Sequence, residues 1–110
     1  MKILKLFVII MAISFSSIAY AGASFTDTLY LKRSDLAQYE CLDIARSVLE
    51  QVGFVSVRSG NWLAYGRKGN YKGNIACFAT NGLVVFIVAG SNYRNAERLN
   101  TKLKRNFQNW

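Results

Sequence analysis

The stretch that decides the fold is Leu83-Val84-Val85-Phe86-Ile87-Val88-Ala89, a short run without any polar side chain. Its β-branched residues and its length are typical of a buried strand rather than of a helix. Gly90 ends the run, and Ser91 or Asn92 can cap a helix behind it. We therefore expect the central strand of a sheet, followed directly by a helix that packs on that sheet.

Two helices are predicted from apolar residues that recur at three- and four-residue spacing. The first runs from Leu36 to Val52, with Ser34 as its N-cap and Gly53 as its C-terminal stop. The second runs from about residue 92 to residue 107. The inward stripes are Ala37, Cys41, Ile44, Ala45, Val48 and Val52 in the first helix, and Tyr93, Ala96, Leu99, Leu103 and Phe107 in the second.

Between the helices the pattern changes to period two with turn residues, which predicts strands over 54–57, 62–67, 71–80 and 83–89. Asn81-Gly82 predicts a two-residue type I′ turn, because both positions of that turn need positive φ. Alternation in the third strand places Cys77 toward the helices and Phe78 on the other face.

These elements predict an α+β fold with two layers: a four-stranded antiparallel meander carrying two helices on one face, in the order α-β-β-β-β-α. Residues 25–31 alternate loosely and give a possible extra N-terminal strand. The central strand is apolar on both faces, so we expect some of Val84, Phe86, Val88 and their neighbours to need cover. Residues 25–31, a second copy in a weak homodimer, or another protein can supply it.

The first 21 residues have the pattern of a cleaved signal peptide. A basic start is followed by an apolar run from Leu6 to Ile13 and by Ala19-Tyr20-Ala21, an A-x-A cleavage site. The apolar run is too short for a membrane span of about 20 residues. We expect residues 22–110 to be a single exported domain, periplasmic or extracellular, without a membrane span.

The chain is basic, with 14 Lys and Arg against 6 Asp and Glu and a formal net charge of +8. Removing the signal peptide takes away Lys2 and Lys5 and leaves 12 basic residues, a net charge of +6. The positive electrostatic field of such a protein favours anionic partners.

Cys41 and Cys77 are the only cysteines, 36 residues apart. In an oxidising compartment the simplest interpretation is one structural disulfide, which would constrain the unfolded chain by roughly 3–4 kcal/mol. A redox pair is normally closer in sequence, and a zinc site needs two further ligands in a chain that has no histidine.

A family resemblance rests on the cysteine pair and on several turn and core motifs. These are Cys41 on a helix that ends Val52-Gly53-Phe54, then Ala64-Tyr65-Gly66, Gly69-Asn70-Tyr71, Ile75-Ala76-Cys77 and Val88-Ala89-Gly90. In these positions the chain resembles small secreted bacterial two-cysteine proteins of unknown function. The resemblance implies the α+β fold and export, and it identifies no catalytic residue in this chain.

The sequence contains few residues that could act in catalysis. Histidine is absent, and the six acidic residues are too few and too exposed to suggest a general base or a metal cage. The serines have no nucleophile-elbow context. We therefore expect a protein that is not an enzyme and that has no cofactor or metal.

Two cationic features are candidate binding sites. In the segment 66–74, three glycines lie beside Arg67, Lys68 and Lys72, so that a phosphate or sulfate can be held there, although a plain hairpin explains the segment as well. In the second helix, four cations at spacings of four, four and three residues form one stripe, namely Arg94, Arg98, Lys102 and Arg105. A solubilising helix face is the alternative interpretation of that stripe.

The sequence thus predicts a non-enzymatic binding module whose cationic surface contacts an acidic protein or an anionic envelope polymer. The first alternative is an inhibitor or immunity-type protein for a secreted toxin or enzyme. The second is a small secreted enzyme or toxin that acts on an envelope polymer or nucleic acid. Trp62, Tyr65 and Tyr71 are the expected anchors for a shape-specific protein partner.

Overall fold

The computed structural model describes residues 22–31 and 36–110. In this part of the chain a five-stranded antiparallel sheet carries two helices on one face. The elements are β1 (Ala23–Tyr30), α1 (Gln38–Val52), β2 (Val55–Ser59), β3 (Leu63–Lys68), β4 (Tyr71–Phe78), β5 (Leu83–Gly90) and α2 (Tyr93–Gln108). The predicted signal peptide and the predicted N-cap Ser34 lie outside the described residues. Neither described helix combines the length and the apolar composition needed to cross a membrane.

The strand order is β1-β5-β4-β3-β2, and every neighbouring pair is antiparallel. The predicted meander is confirmed in β2 to β5, and the possible N-terminal strand is confirmed as β1, which pairs with β5 from Ala23↔Gly90 to Tyr30↔Leu83. Because β1 adds to the sheet beyond β5, the middle strand is β4 and not β5. The apolar strand is nevertheless paired along both of its edges.

The two faces of β5 have different surroundings. Val84, Phe86 and Val88 lie under the helices and are fully buried, whereas Leu83, Val85 and Ile87 are half-buried on the opposite face. The expected need for cover therefore falls on the neighbouring residues Leu83, Val85 and Ile87, and it was wrong for Val84, Phe86 and Val88, which the helices cover. Val84 is the register partner of Cys77, so these residues share the side of the disulfide. We call the sheet side opposite the helices the open face.

The core lies between the sheet and the two helices. Helix α1 lies over β2, β3 and β4, and α2 lies over β1 and β5. The predicted disulfide is confirmed: Cys41 of α1 is bonded to Cys77 of β4, both are fully buried, and their Cα atoms are 6.1 Å apart. The bond joins the buried side of a helix to a strand in the middle of the sheet.

The helix ends agree with the sequence at three of four positions. Gly53 ends α1 with φ of 101°, and the Asn92 side chain accepts a hydrogen bond from the Asn95 amide at the start of α2. Helix α2 ends at Gln108, one residue from its predicted end. Helix α1 begins at Gln38 rather than Leu36, because the Glu40 carboxylate accepts from the Ala37 amide and fixes the first turn.

The predicted type I′ turn at Asn81-Gly82 was wrong. A single 3-10 turn, Ala79–Asn81, precedes Gly82, and of this pair only Gly82 has a positive φ, 63°. The cause is Gln38, whose side chain binds the carbonyl of Cys77 and the amide of Ala79. These bonds end β4 at Phe78, two residues before its predicted end.

The inward stripe of α2 also differs from the prediction. Tyr93 is half exposed, and its ring packs edge-on against Phe25. Asn100, which the sequence did not place inward, is fully buried, and its Nδ2 donates to the carbonyl of Phe86 at 3.1 Å. Among the described residues its Oδ1 has no hydrogen-bond partner. The stripe therefore contains one polar residue that binds the β5 backbone.

Candidate functional site

The cations predicted on the second helix lie together on the exposed side of α2. Arg94, Arg98, Lys102 and Arg105 line one shallow, open groove along the surface of α2, together with Glu97 and Thr101. We call these four cations the α2 stripe. From Arg94 to Arg105 the helix rises about 16 Å at its usual 1.5 Å per residue. The stripe is long enough to contact several charged groups of a polymer at once.

Burial of the opposite side of α2 fixes the orientation of the stripe. Ala96, Leu103 and Phe107 are buried in the core, and Phe107 packs edge-on against Phe86. The residues of the stripe lie between these positions in the sequence and point away from the core. All four are exposed. Substitutions in the stripe therefore do not remove core contacts.

The charges of the α2 stripe are not neutralised within the described part of the chain. The salt bridges found there join Arg46 to Asp43 and Lys104 to Asp27, and neither includes a residue of the stripe. Lys104 differs from its neighbours, because its Nζ lies 3.2 Å from the Asp27 carboxylate of β1. Glu97 is the acidic residue that lines the groove. The groove thus presents four positive charges against one negative charge.

The three cations predicted near the glycine-rich segment do not lie together. Arg67 and Lys72 are register partners in β3 and β4 and lie on the open face. Lys68 faces the helices instead, and its Nζ donates to the carbonyl of Val52 at 2.7 Å. That contact places a cation at the C-terminal end of α1, where it suits the helix dipole. Lys68 has a structural contact, which leaves Arg67 and Lys72 as the accessible pair.

The glycines of this segment have packing roles. Strands β3 and β4 are joined by a tight hairpin at Gly69-Asn70, with Lys68 opposite Tyr71. Gly66 and Gly73 are buried register partners. A Cβ at Gly73 would lie 2.7 Å from the Phe54 ring, and one at Gly66 would lie 3.2 Å from the Phe54 Cβ. These two glycines make room for Phe54, and their positions give no support to the predicted phosphate loop.

The open face carries a third cation that the sequence did not single out. Arg58 of β2 is the register partner of Tyr65 in β3, so it lies on the same face as Arg67 and Lys72. This position depends on an irregularity in β2, where the register shifts between Val55 and Arg58 and Ser56 has φ of 54°. No sequence pattern marks that bulge, and a regular register continued from Val55 would place Arg58 opposite Ala64, on the helix side.

The three aromatic anchors predicted from sequence lie on different sides of the sheet. Trp62 and Tyr65 are about half exposed, and Trp62 stacks on Phe78 at the end of the open face, with ring centroids 5.9 Å apart. Tyr71 lies on the helix side, where its ring covers Gly90. Hydrogen bonding with Ser91, and then with Asn95, lowers the pKa of the Tyr71 phenol below its ordinary value. Tyr71 therefore belongs to the start of α2 rather than to the open face.

Comparison with models of known protein families gives no match, and no curated protein is significantly similar in sequence. The chain is a small two-cysteine α+β protein with a buried disulfide. Its described part offers two separate cationic surfaces, the α2 stripe and the open face.

Proposed function

We propose that this chain is a non-enzymatic binding module that contacts an acidic macromolecule through the α2 stripe. The observation that carries the proposal is the alignment of Arg94, Arg98, Lys102 and Arg105 along one exposed groove with a single acidic neighbour. Cations grouped in this way attract a polyanion more strongly than scattered ones, because several of its counterions are released together on binding.

We propose further that the chain is exported to the periplasm or outside the cell, as in the small secreted bacterial proteins that it resembles. The signal-peptide pattern in residues 1–21 supports this. The disulfide between Cys41 and Cys77 adds support, because such bonds persist in oxidising compartments. The acidic partner is then an anionic envelope polymer or an acidic protein of that compartment.

The test is retention on an anionic matrix by the parent and by the triple variant Arg94→Gln, Arg98→Gln, Lys102→Gln. We expect the variant to elute at clearly lower salt, because exposed charges act together and are screened together. A second triple variant, Arg94→Lys, Arg98→Lys, Arg105→Lys, keeps the positive charge of the stripe. It should elute close to the parent. Circular dichroism should show the same fold for all three proteins.

The result that would contradict the proposal is equal retention of the parent and the glutamine variant on every anionic matrix and envelope fraction. The α2 stripe would then be a solvated helix face. The inhibitor or immunity-type alternative predicts another pattern. There, binding to one protein partner would depend weakly on salt and would be lost mainly on substitution of Trp62 or Tyr65, which are exposed aromatic residues.

A further inference from the structure

The open face combines three features that the α2 stripe lacks. Both helices pack on the other side of the sheet, and no other element of the described residues lies over the open face. Its centre is apolar, with Leu83, Val85 and Ile87 half-buried. Around that centre lie cations and exposed aromatic rings. An apolar patch that is surrounded by polar residues and covered by no other element is commonly a binding site.

The charge on this face has one sign. Arg58, Arg67 and Lys72 are exposed and come together through the register of β2, β3 and β4. The acidic residues of the described part all lie elsewhere: Asp27 faces Lys104 of α2, and the others are on the helices, namely Glu40, Asp43, Glu50 and Glu97. The face is therefore complementary to an anion. A second copy, apposed through the same face, would bring more positive charge to it.

Aromatic rings are interleaved with these cations along β3. Tyr65 lies opposite Arg58 and two residues before Arg67. Trp62 precedes the strand and is 53% exposed, although one of its faces is stacked on Phe78. Trp62 lies in the bend before β3, and its stacking on Phe78, the register partner of Leu83, places its ring at the end of the open face. The face thus offers two separate stacking positions beside a row of cations.

We propose that the open face binds single-stranded nucleic acid, with bases stacked on Trp62 and Tyr65 and phosphates held by Arg58, Arg67 and Lys72. Successive bases on aromatic side chains, with the backbone on cations, are the usual means of binding single strands. The Trp62 and Phe78 rings are within 24° of parallel, so a third planar ring extends an existing stack. A sugar ring has no π system and can contact these rings only through its C–H groups. Guanidinium groups also match phosphate oxygens in geometry.

This inference goes beyond the proposed function, since it assigns another class of acidic macromolecule to the other side of the sheet. A local probe separates the two surfaces. The chain has two tryptophans, and Trp110→Phe removes the second, so that the remaining fluorescence of the mature chain reports on Trp62. The ligand is an oligothymidylate of about ten nucleotides, within the usual site size.

We expect saturable quenching of Trp62 fluorescence in the Trp110→Phe protein, with an affinity that falls steeply as salt increases. Tyr65→Ala should weaken the affinity about tenfold or more, the usual effect of losing one stacked base. The open-face variant Arg58→Gln, Arg67→Gln, Lys72→Gln should lower the slope of log K against log salt by about two, at roughly 0.7 per phosphate contact.

The matched control is the glutamine variant of the α2 stripe, which loses the same number of charges on the opposite side of the sheet. It should give the quenching curve of the parent. If the stripe variant loses affinity and the open-face variant does not, the proposed function stands and this inference is overturned. If neither variant differs from the parent in binding any polyanion, both are overturned.

Two further outcomes would overturn the inference alone. One is quenching of Trp62 by an acidic polysaccharide, with none by the oligonucleotide, which would make the face a glycan site. The other is a dimer in sedimentation equilibrium that dissociates on substitution of Tyr65 and does not bind the oligonucleotide.

Discussion

Gln38 donates from its side-chain Nε2 to the main-chain carbonyl of Cys77 at 2.7 Å, and Cys77 is disulfide-bonded to Cys41, one turn further along the same helix. The same side chain accepts from the amide of Ala79 at 2.9 Å and donates to the carbonyl of Asn61 at 3.1 Å. One glutamine thus joins the start of α1 to the end of β4 and to the loop before β3. These contacts order the end of the sheet that carries Trp62.

Replacing Gln38 by alanine should therefore lower the free energy of unfolding. The partly buried carbonyl of Cys77 and amide of Ala79 would lose a hydrogen-bond partner, at a cost of about 1–3 kcal/mol. Gln51→Ala is the matched control, because Gln51 is exposed on the same helix and should change stability by no more than about 0.5 kcal/mol. Urea denaturation measures both. Equal stability of the two variants would show that the Gln38 contacts contribute nothing.

The disulfide should be intact in the purified protein. Thiol titration of the unreduced, denatured chain should find no free sulfhydryl, because Cys41 and Cys77 are its only cysteines and are bonded to each other. The double variant Cys41→Ala, Cys77→Ala should lose about 2–4 kcal/mol of stability, as is usual for such a bond. Two reactive thiols per chain would contradict the pairing.

Gly73 should not tolerate a side chain. A Cβ there would lie 2.7 Å from the Phe54 ring and 3.0 Å from a methyl of Leu49, so Gly73→Ala should cost about 1–3 kcal/mol of stability through overpacking. Phe54→Leu in the same background should recover part of that loss, which distinguishes overpacking from a change in strand propensity. Gly60 is the control, since a Cβ there would have no heavy atom within 4 Å, and Gly60→Ala should leave stability unchanged or raise it slightly. A Gly73→Ala protein as stable as the parent would refute the packing role.

The sequence was sufficient for the fold where a pattern has one physical meaning. The apolar run at Leu83 predicts a strand, Gly53 ends a helix, and Cys77 faces Cys41 because alternation places it on the helix side. The predictions were wrong where a side chain forms hydrogen bonds with the backbone of another element. Gln38 is polar and is not part of the predicted inward stripe, yet its contacts replace the predicted turn at Asn81-Gly82. Asn100 was missed because its partner, the Phe86 carbonyl, is a backbone atom of the preceding strand, which no side-chain pattern indicates.

The candidate sites were predictable to different degrees. Helical periodicity alone places the α2 stripe on one side of its helix. In the structure the four cations of the stripe lie along one groove. The open face depends on strand register, which periodicity does not give. Arg58 reaches it only through the bulge at Ser56, and Lys68, predicted with Arg67, lies on the other side of the sheet. Residues adjacent in sequence were therefore separated, and distant ones were brought together.

The most direct test of the central claim is the salt dependence of binding to a sulfated oligosaccharide, a polyanion that has no bases to stack. For the parent, log K should fall linearly with log salt. The variant with glutamine at Arg94, Arg98 and Lys102 should show a clearly shallower dependence of log K on log salt, because three contacts that release counterions are lost. The lysine-substituted variant should keep the parent slope. An affinity of the parent that does not change with salt, or one slope shared by the parent and the glutamine variant, would contradict the assignment of the α2 stripe as a polyanion-binding surface.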